Sequence, residues 1–193
     1  DFMYAMQGGS LMAVEGLLSA YDFSGHVRLL DVGGALGTVS VAVAKRYTQI
    51  EAVSFDLPVV TPLAEEYIAS QGVAGRVRAE SGDMFERLPE GFDAVHLSWI
   101  LHDWSDAQCH TLLTRCREAL TPGGTLLLGE ALVDDSNVFA HLMSLNMLVA
   151  TDGGKERTEA EYRRLVEEAG LEFVRADRTG GLRDLVVARR PSE

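Results

Sequence analysis

Strand-like and helix-like segments alternate along most of the chain, and this alternation limits the possible folds more than any other feature. Short apolar runs predict strands at 28–32, 51–56, 76–81, 92–98 and 125–130. Helical patterns occur between or after them, at 38–47, 58–70, 105–120 and 158–169. Such alternation predicts a doubly wound α/β fold, in which helices connect parallel strands and cover both faces of the sheet.

The C-terminal part adds two strands to this pattern. They are predicted at 172–177 and 182–189, and Gly180-Gly181 between them indicates a hairpin. We therefore predict a seven-stranded sheet that is mostly parallel and has one antiparallel strand.

Size, charge and cysteine content narrow the class of protein further. The chain has 193 residues, 47% of them hydrophobic, which suits one domain with a sizeable core. Its net charge of −12 would repel a phosphate backbone, so we predict no nucleic-acid partner.

Cys109 and Cys116 lie seven residues apart in one helical pattern, where a disulfide is unfavourable, so reduced thiols and a cytoplasmic location are expected. Without a signal peptide or a bilayer-length apolar stretch, no membrane association is predicted.

A glycine-rich loop, Asp31-Val-Gly-Gly-Ala-Leu-Gly37, joins the first predicted strand to the first predicted helix. Glycine lets the backbone turn sharply and approach a ligand closely. A dinucleotide fingerprint that ends at Gly37 would need glycine in place of Val32, which disfavours an NAD-dependent dehydrogenase. An acid at position 31 would repel a pyrophosphate, whereas it could attract the sulfonium and ammonium groups of S-adenosylmethionine.

Acidic residues also follow the next two strands. Asp56 could accept hydrogen bonds from both hydroxyls of a ribose. Asp83 could accept from an adenine amino group, with Met84 or Phe85 against the face of the ring. Because parallel strands end at one edge of a sheet, these residues are expected to form a single adenosyl site there.

Five stretches, in this order, resemble the two-domain O-methyltransferases of plant phenolic and bacterial polyketide metabolism. They are Asp31-Val-Gly-Gly, Phe55-Asp-Leu-Pro58, Gly82-Asp-Met-Phe85, Trp99-Ile-Leu-His102-Asp-Trp-Ser105 and Gly153-Gly-Lys-Glu-Arg-Thr158. The resemblance covers nearly the whole chain. It implies a Rossmann-like class I methyltransferase fold and S-adenosylmethionine as cofactor, with S-adenosylhomocysteine as product. The implied reaction is methyl transfer to a hydroxyl of a small aromatic acceptor.

The resemblance also implies roles for individual residues. His102 matches the general base that deprotonates the acceptor hydroxyl, and Glu130 and Glu156 match two carboxylates that flank and orient it. Together with the loop and the strand ends, it predicts cofactor contacts at Asp31, Gly33, Gly34, Asp56, Leu57, Asp83, Met84, Phe85, Ser98 and Trp104.

The segment 137–150 is apolar nearly all round, which predicts a helix that is buried or faces a pocket. Met143 and Met147 share one face of it, and their flexible thioethers suit a pocket for flat rings, with core packing as the alternative. The other histidines show no ligand-like spacing, so no metal site is predicted.

The N-terminal helical dimerisation domain of the resembled family is missing from this sequence. Residues 1–22 are therefore predicted to form the linker helix from that domain, and 23–193 the catalytic domain. A homodimer is expected for the full-length protein. An alternative is a methyltransferase-fold protein that binds the cofactor but performs other tailoring chemistry, such as hydroxylation, or is inactive as a fragment. A nucleic-acid methyltransferase is disfavoured by the acidic charge.

Overall fold

The computed structural model describes residues 13–193, which contain one seven-stranded sheet. The strands are β1 (Arg28–Val32), β2 (Glu51–Asp56), β3 (Val77–Ser81), β4 (Phe92–Ser98), β5 (Leu120–Glu130), β6 (Glu172–Asp177) and β7 (Asp184–Arg189). Their order across the sheet is β3-β2-β1-β4-β5-β7-β6, and β7 runs antiparallel to the other six strands. The predicted sheet is confirmed in strand number and in its single antiparallel strand.

Helices cover both faces of this sheet. They are α1 (described over 13–20), α2 (Thr38–Arg46), α3 (Thr61–Ser70), α4 (Asp106–Ala119), α5 (Val138–Ala150) and α6 (Glu159–Glu168), with a 3₁₀ turn at Leu101–Asp103. One apolar cluster packs α4 and α6 on one face, and a second packs α1, α2 and α3 on the other. No helix within 13–193 has both the length and the apolar character needed to cross a bilayer.

The predicted linker helix falls only partly within this description. Residues 13–20 are helical, whereas 1–12 lie outside the described residues. The linker and the domain boundary at 22 therefore stay predictions.

Two predicted boundaries differ from the structure by three residues or more, for local reasons. The helix predicted from Pro58 begins at Thr61, because 58–60 form a turn in which the Val60 N–H donates to the Leu57 carbonyl (2.9 Å). The strand predicted from Thr125 begins at Leu120, which pairs with Phe92; the next pair is Thr125 with Ala94. The intervening residues 121–124 form an irregularity within the strand.

The sequence predicts that the segment 137–150 is buried or faces a pocket. Burial is wrong for most of its length, whereas Met143 and Met147 do line a cavity. Within the described residues, only Ala140 and Met147 of α5 are buried. Val138, Leu142, Leu145, Leu148 and Val149 are exposed, Val149 to 88%. An all-round apolar helix therefore reports little about which face is covered, and a contiguous exposed apolar surface of this kind is typical of interaction sites.

Candidate active site

The glycine loop turns tightly against the end of β2. Gly33 has φ of +67°, and a Cβ there would lie 2.3 Å from Ile100 Cδ1, so a side chain at position 33 would have to displace the end of Ile100. The Gly33 N–H donates to the carbonyl of Phe55 (2.9 Å). The loop thus favours glycine at position 33 chiefly for its backbone conformation.

A cavity of about 270 Å³ lies beside this loop, at the carboxyl edge of the sheet. The carboxylate of Asp56 lines it and is held in place by two hydrogen bonds, from the N–H groups of Ala35 (2.9 Å) and Leu57 (2.7 Å). Phe85 and Trp104 meet edge to face with ring centroids 4.7 Å apart. The cavity brings together these predicted cofactor contacts: Gly33, Asp56, Leu57, Asp83, Met84, Phe85 and Trp104.

Three predicted cofactor contacts do not line this cavity. The Asp31 carboxylate is buried, lies 2.8 Å from Nδ1 of His96 and accepts from the Ser40 hydroxyl (3.1 Å). The sequence suggested that this carboxylate is free to attract a cationic ligand. In the structure it is engaged by His96 and Ser40 in the interior. Gly34 packs against β2, where a Cβ would lie 2.4 Å from the Ser54 hydroxyl. Ser98 donates to the Gly129 carbonyl (3.2 Å).

His102 lies in the 3₁₀ turn that follows β4. Its Nδ1 is 2.7 Å from Oε1 of Glu156, and both side chains are buried. Because a carboxylate can only accept, this contact places the ring proton on Nδ1 and leaves Nε2 as an acceptor. Nε2 is 3.6 Å from Asp103 Oδ1, too far for a hydrogen bond. The structure thus pairs Glu156 with the imidazole, as the resemblance implies.

Glu130 lies in the same cluster but makes different contacts. Its Oε1 accepts from the N–H groups of Ile100 (3.1 Å) and Leu101 (2.9 Å). It therefore holds the backbone of the turn that carries His102, and among the described residues it makes no hydrogen bond to the imidazole. The resemblance implies that both carboxylates flank and orient the ring. Of the two, Glu156 is hydrogen-bonded to the imidazole, whereas Glu130 lies beside it and holds the main chain of the turn.

Burial and charge oppose each other at His102. Burial lowers the pKa of the imidazole, but the hydrogen bond to Glu156 and the nearby charges of Glu130, Glu156 and Asp103 outweigh it, so the net pKa is raised. Burial raises the pKa of Glu130 to about 7. The charges of the cluster therefore favour the protonated form of His102, while burial favours the neutral form of Glu130.

A second, larger cavity of about 690 Å³ adjoins the first and has His102 in its wall. Trp104 lines both cavities. The predicted pocket residues Met143 and Met147 line the larger one, together with Trp99 and Asn146. Trp99 has φ of +53°, a strained conformation for an aromatic residue, and its ring stacks on that of His102 with centroids 6.0 Å apart.

Arg157 lies in one of the five stretches that carry the resemblance, but no role was predicted for it. Its guanidinium is fully buried and donates to the carbonyls of Leu101 (2.8 Å) and Trp104 (2.7 Å) and to Asp106 (Nη2, 2.9 Å). It thus fastens the ends of the His102 turn to the segment that carries Glu156. A Cβ on Gly154 would lie 2.4 Å from the His102 carbonyl, so this contact also needs glycine.

The described residues contain one group of side chains whose ligand atoms are close enough to share a metal ion. It consists of His102, Glu130 and Glu156, with ligand atoms within 4.8 Å of one another. All three already have other partners, since His102 is hydrogen-bonded to Glu156 and Glu130 accepts from two main-chain N–H groups. That the protein uses no metal stays a prediction.

Residues 1–172 match the O-methyltransferase domain family. The 3-hydroxy-5-methyl-1-naphthoate 3-O-methyltransferase of Streptomyces sahachiroi is 42% identical over 173 residues, which cover 88% of this chain and 50% of that protein. Acetylserotonin O-methyltransferase of Bos taurus is 39% identical over 194 residues, covering 98% of this chain and 55% of that protein.

Solved structures agree with these relatives. Human N-acetylserotonin methyltransferase in complex with S-adenosylmethionine superposes with a TM-score of 0.90 at 33% identity, over 98% of this chain and 55% of that one. An O-methyltransferase from neocarzinostatin biosynthesis, in complex with S-adenosylmethionine and 2-hydroxy-5-methyl naphthoic acid, gives 0.89 at 30% identity, over 97% and 56%. The fold is that of the class I methyltransferases. The chain belongs to the O-methyltransferase domain family, and it spans about half the length of the curated relatives it matches.

Proposed function

We propose that this chain is the catalytic domain of an S-adenosylmethionine-dependent O-methyltransferase whose acceptor is a hydroxyl on a small aromatic molecule. One observation carries the proposal. A buried histidine, paired with a buried glutamate at 2.7 Å, lies in the wall of a large cavity that adjoins the cavity at the glycine loop. The names of the relatives and the aromatic acid bound in a neighbouring structure support the same reaction.

The residues that line the smaller cavity suit an adenosyl cofactor. Asp56 would accept hydrogen bonds from the ribose, since the two N–H groups that fix its carboxylate leave lone pairs available. Met84, Phe85 and Trp104 would contact the adenine ring, and Asp83 its amino group. When bound, S-adenosylmethionine supplies an electrophilic methyl group on a positively charged sulfur.

His102 would act on the acceptor as a general base. A phenol has a pKa of about 10, so at neutral pH its oxygen is mostly protonated and weakly nucleophilic. Nε2 of neutral His102 takes that proton as the oxygen attacks, while Nδ1–H keeps its bond to Glu156. Glu156 stabilises the imidazolium that forms, and Glu130 keeps the turn in place.

Two assays test the proposal. Transfer of a labelled methyl group from S-adenosylmethionine to a panel of hydroxylated aromatics should yield a product with one additional methyl group. Calorimetry should detect binding of S-adenosylhomocysteine but not of NAD. A product that lacks a new methyl group would favour the alternative tailoring chemistry, and preferential binding of NAD would overturn the cofactor assignment.

Asp56→Ala is expected to weaken S-adenosylhomocysteine binding about 10- to 100-fold, because hydrogen bonds to a charged acceptor are lost. Calorimetry measures the change directly. Glu51→Ala is the matched control, since Glu51 is an exposed acid at the opposite end of the same strand. Unchanged affinity in Asp56→Ala would show that the ribose binds elsewhere.

Glu156→Gln is expected to move the acidic limb of the pH–rate profile to lower pH and to reduce kcat. The base must be neutral, so activity falls as pH drops through the pKa of His102. Glu156 raises that pKa, and removing its charge lets His102 stay neutral to lower pH. The profile of kcat at saturating substrates measures the shift, with exposed Glu159→Gln as control. A shift to higher pH would contradict this coupling.

We also propose that the full-length protein is a cytoplasmic homodimer. Besides the N-terminal domain that the resemblance implies, the exposed apolar residues of α5 support a contact between subunits. The two buried, unpaired cysteines suit the reducing cytoplasm. Light scattering of the full-length protein measures its oligomeric state, and a monomeric mass would refute the dimer.

A further inference from the structure

Arg183 is a buried arginine that forms no ion pair with any of the described residues. It precedes β7 and is 7% exposed. Its Nη1 donates to the hydroxyl of Ser98 (2.7 Å), at the end of β4, and its guanidinium lies over the ring of Trp99, 4.2 Å from the centroid. The side chain therefore extends along the carboxyl edge of the sheet toward the residues that precede the 3₁₀ turn of His102.

The bond to Ser98 is the only side-chain hydrogen bond of Arg183 within residues 13–193. Its Nε is buried and has no partner, and no carboxylate of that part of the chain forms an ion pair with it. Arg157, the other buried arginine described above, differs because it pairs with Asp106 and with main-chain carbonyls. A buried guanidinium with most donors unused is costly unless something else satisfies it.

Its surroundings indicate what could satisfy it. A gap of about 20 Å³ lies beside Arg183, and Ser98, His96 and Asp184 also line it. It has room for one oxygen atom of a larger group. Burial lowers the pKa of Arg183 to about 10, with Glu130 and Asp31 acting in the opposite direction, so the guanidinium remains charged at neutral pH. Those two acids would also disfavour a doubly charged phosphate nearby, whereas a single carboxylate would meet less repulsion.

We propose that Arg183 binds the carboxylate of a ligand at this edge of the sheet. The planar guanidinium suits a carboxylate because it can donate two parallel hydrogen bonds. The inference rests on the proposed function, which offers two sources of this group: the α-carboxylate in the methionine part of the cofactor, and a carboxylate on the aromatic acceptor.

Calorimetry with two adenosyl ligands tests the first source. S-adenosylhomocysteine carries the α-carboxylate, whereas 5′-methylthioadenosine lacks the amino acid part. Arg183→Met is expected to weaken S-adenosylhomocysteine binding about 10- to 100-fold and to leave methylthioadenosine binding unchanged. Arg183→Lys, which keeps the charge but loses the fork, should fall between Met and wild type. Arg189→Met, an exposed arginine at the other end of β7, is the matched control.

A kinetic arm tests the second source. In Arg183→Met and in the wild type, KM is measured for a hydroxynaphthoate and for the naphthol that lacks its carboxylate. A rise in KM for the acid alone, with cofactor affinity unchanged, identifies the acceptor as the source.

The remaining outcomes overturn the inference. If Arg183→Met and Arg183→Lys lose affinity equally for both adenosyl ligands, Arg183 has a structural role. If neither ligand affinity nor KM changes, Arg183 does not bind a carboxylate. If the wild-type chain binds neither adenosyl ligand, the proposed function fails first, and the inference fails with it. Thermal unfolding of each variant shows whether it is folded.

Discussion

Replacing His102 with glutamine is expected to reduce methyl transfer by about 10²- to 10⁴-fold, while S-adenosylhomocysteine affinity stays near that of the wild type. Glutamine is polar and of similar reach but cannot accept a proton at neutral pH. His102 does not line the cavity at the glycine loop, so its loss should leave the cofactor contacts in place. The expected signature is therefore a loss of kcat without a loss of binding.

Single-turnover methyl transfer and calorimetry on the same preparation measure the two quantities separately. His110→Gln is the control, because His110 is an exposed histidine on α4. If His102→Gln kept nearly full turnover, the reaction would depend on alignment of donor and acceptor alone, and His102 would not be its base. If it lost cofactor binding as well, His102 would support the fold of the site.

The strands and helix starts that carry strong local signals could be predicted from the sequence. Ser105 with Gln108 and Thr158 with Glu161 form capping boxes at the starts of α4 and α6. The spacing of these residue types alone predicts such a box, because its contacts involve only residues within one helical turn. The burial of α5 could not be predicted. Its exposure depends on which other parts of the structure cover it, and a sequence pattern describes only the helix itself.

The site was predictable where residues follow strand ends, and less so where side chains pair across strands. Asp31 lies opposite His96 in the register between β1 and β4, and the two side chains meet in the interior. That register is a tertiary property, so an acid before a glycine loop looked like a ligand for a cation. Arg157 was missed for a similar reason: a charged run normally predicts a solvated surface, and only the folded chain buries its guanidinium.

The largest stability effect is expected at this arginine. Arg157→Met should lower the free energy of unfolding by about 3–5 kcal/mol, because it leaves buried carbonyls and the inner oxygen of Asp106 without their donor. The same change should lower kcat, since Arg157 holds the carbonyls of Leu101 and Trp104 on either side of His102. Methionine keeps most of the volume, so the loss reports polar contacts more than a cavity.

Arg164→Met provides a stringent comparison because Arg164 also pairs with Asp106, at 2.9 Å, from an exposed position. An exposed pair of this kind contributes about 0–1 kcal/mol. Urea unfolding should therefore separate two arginines that share one carboxylate: a large shift in midpoint for Arg157→Met and a small one for Arg164→Met. Equal small shifts would show that burial of the Arg157 guanidinium confers no stability and that the turn of His102 is held chiefly by Glu130.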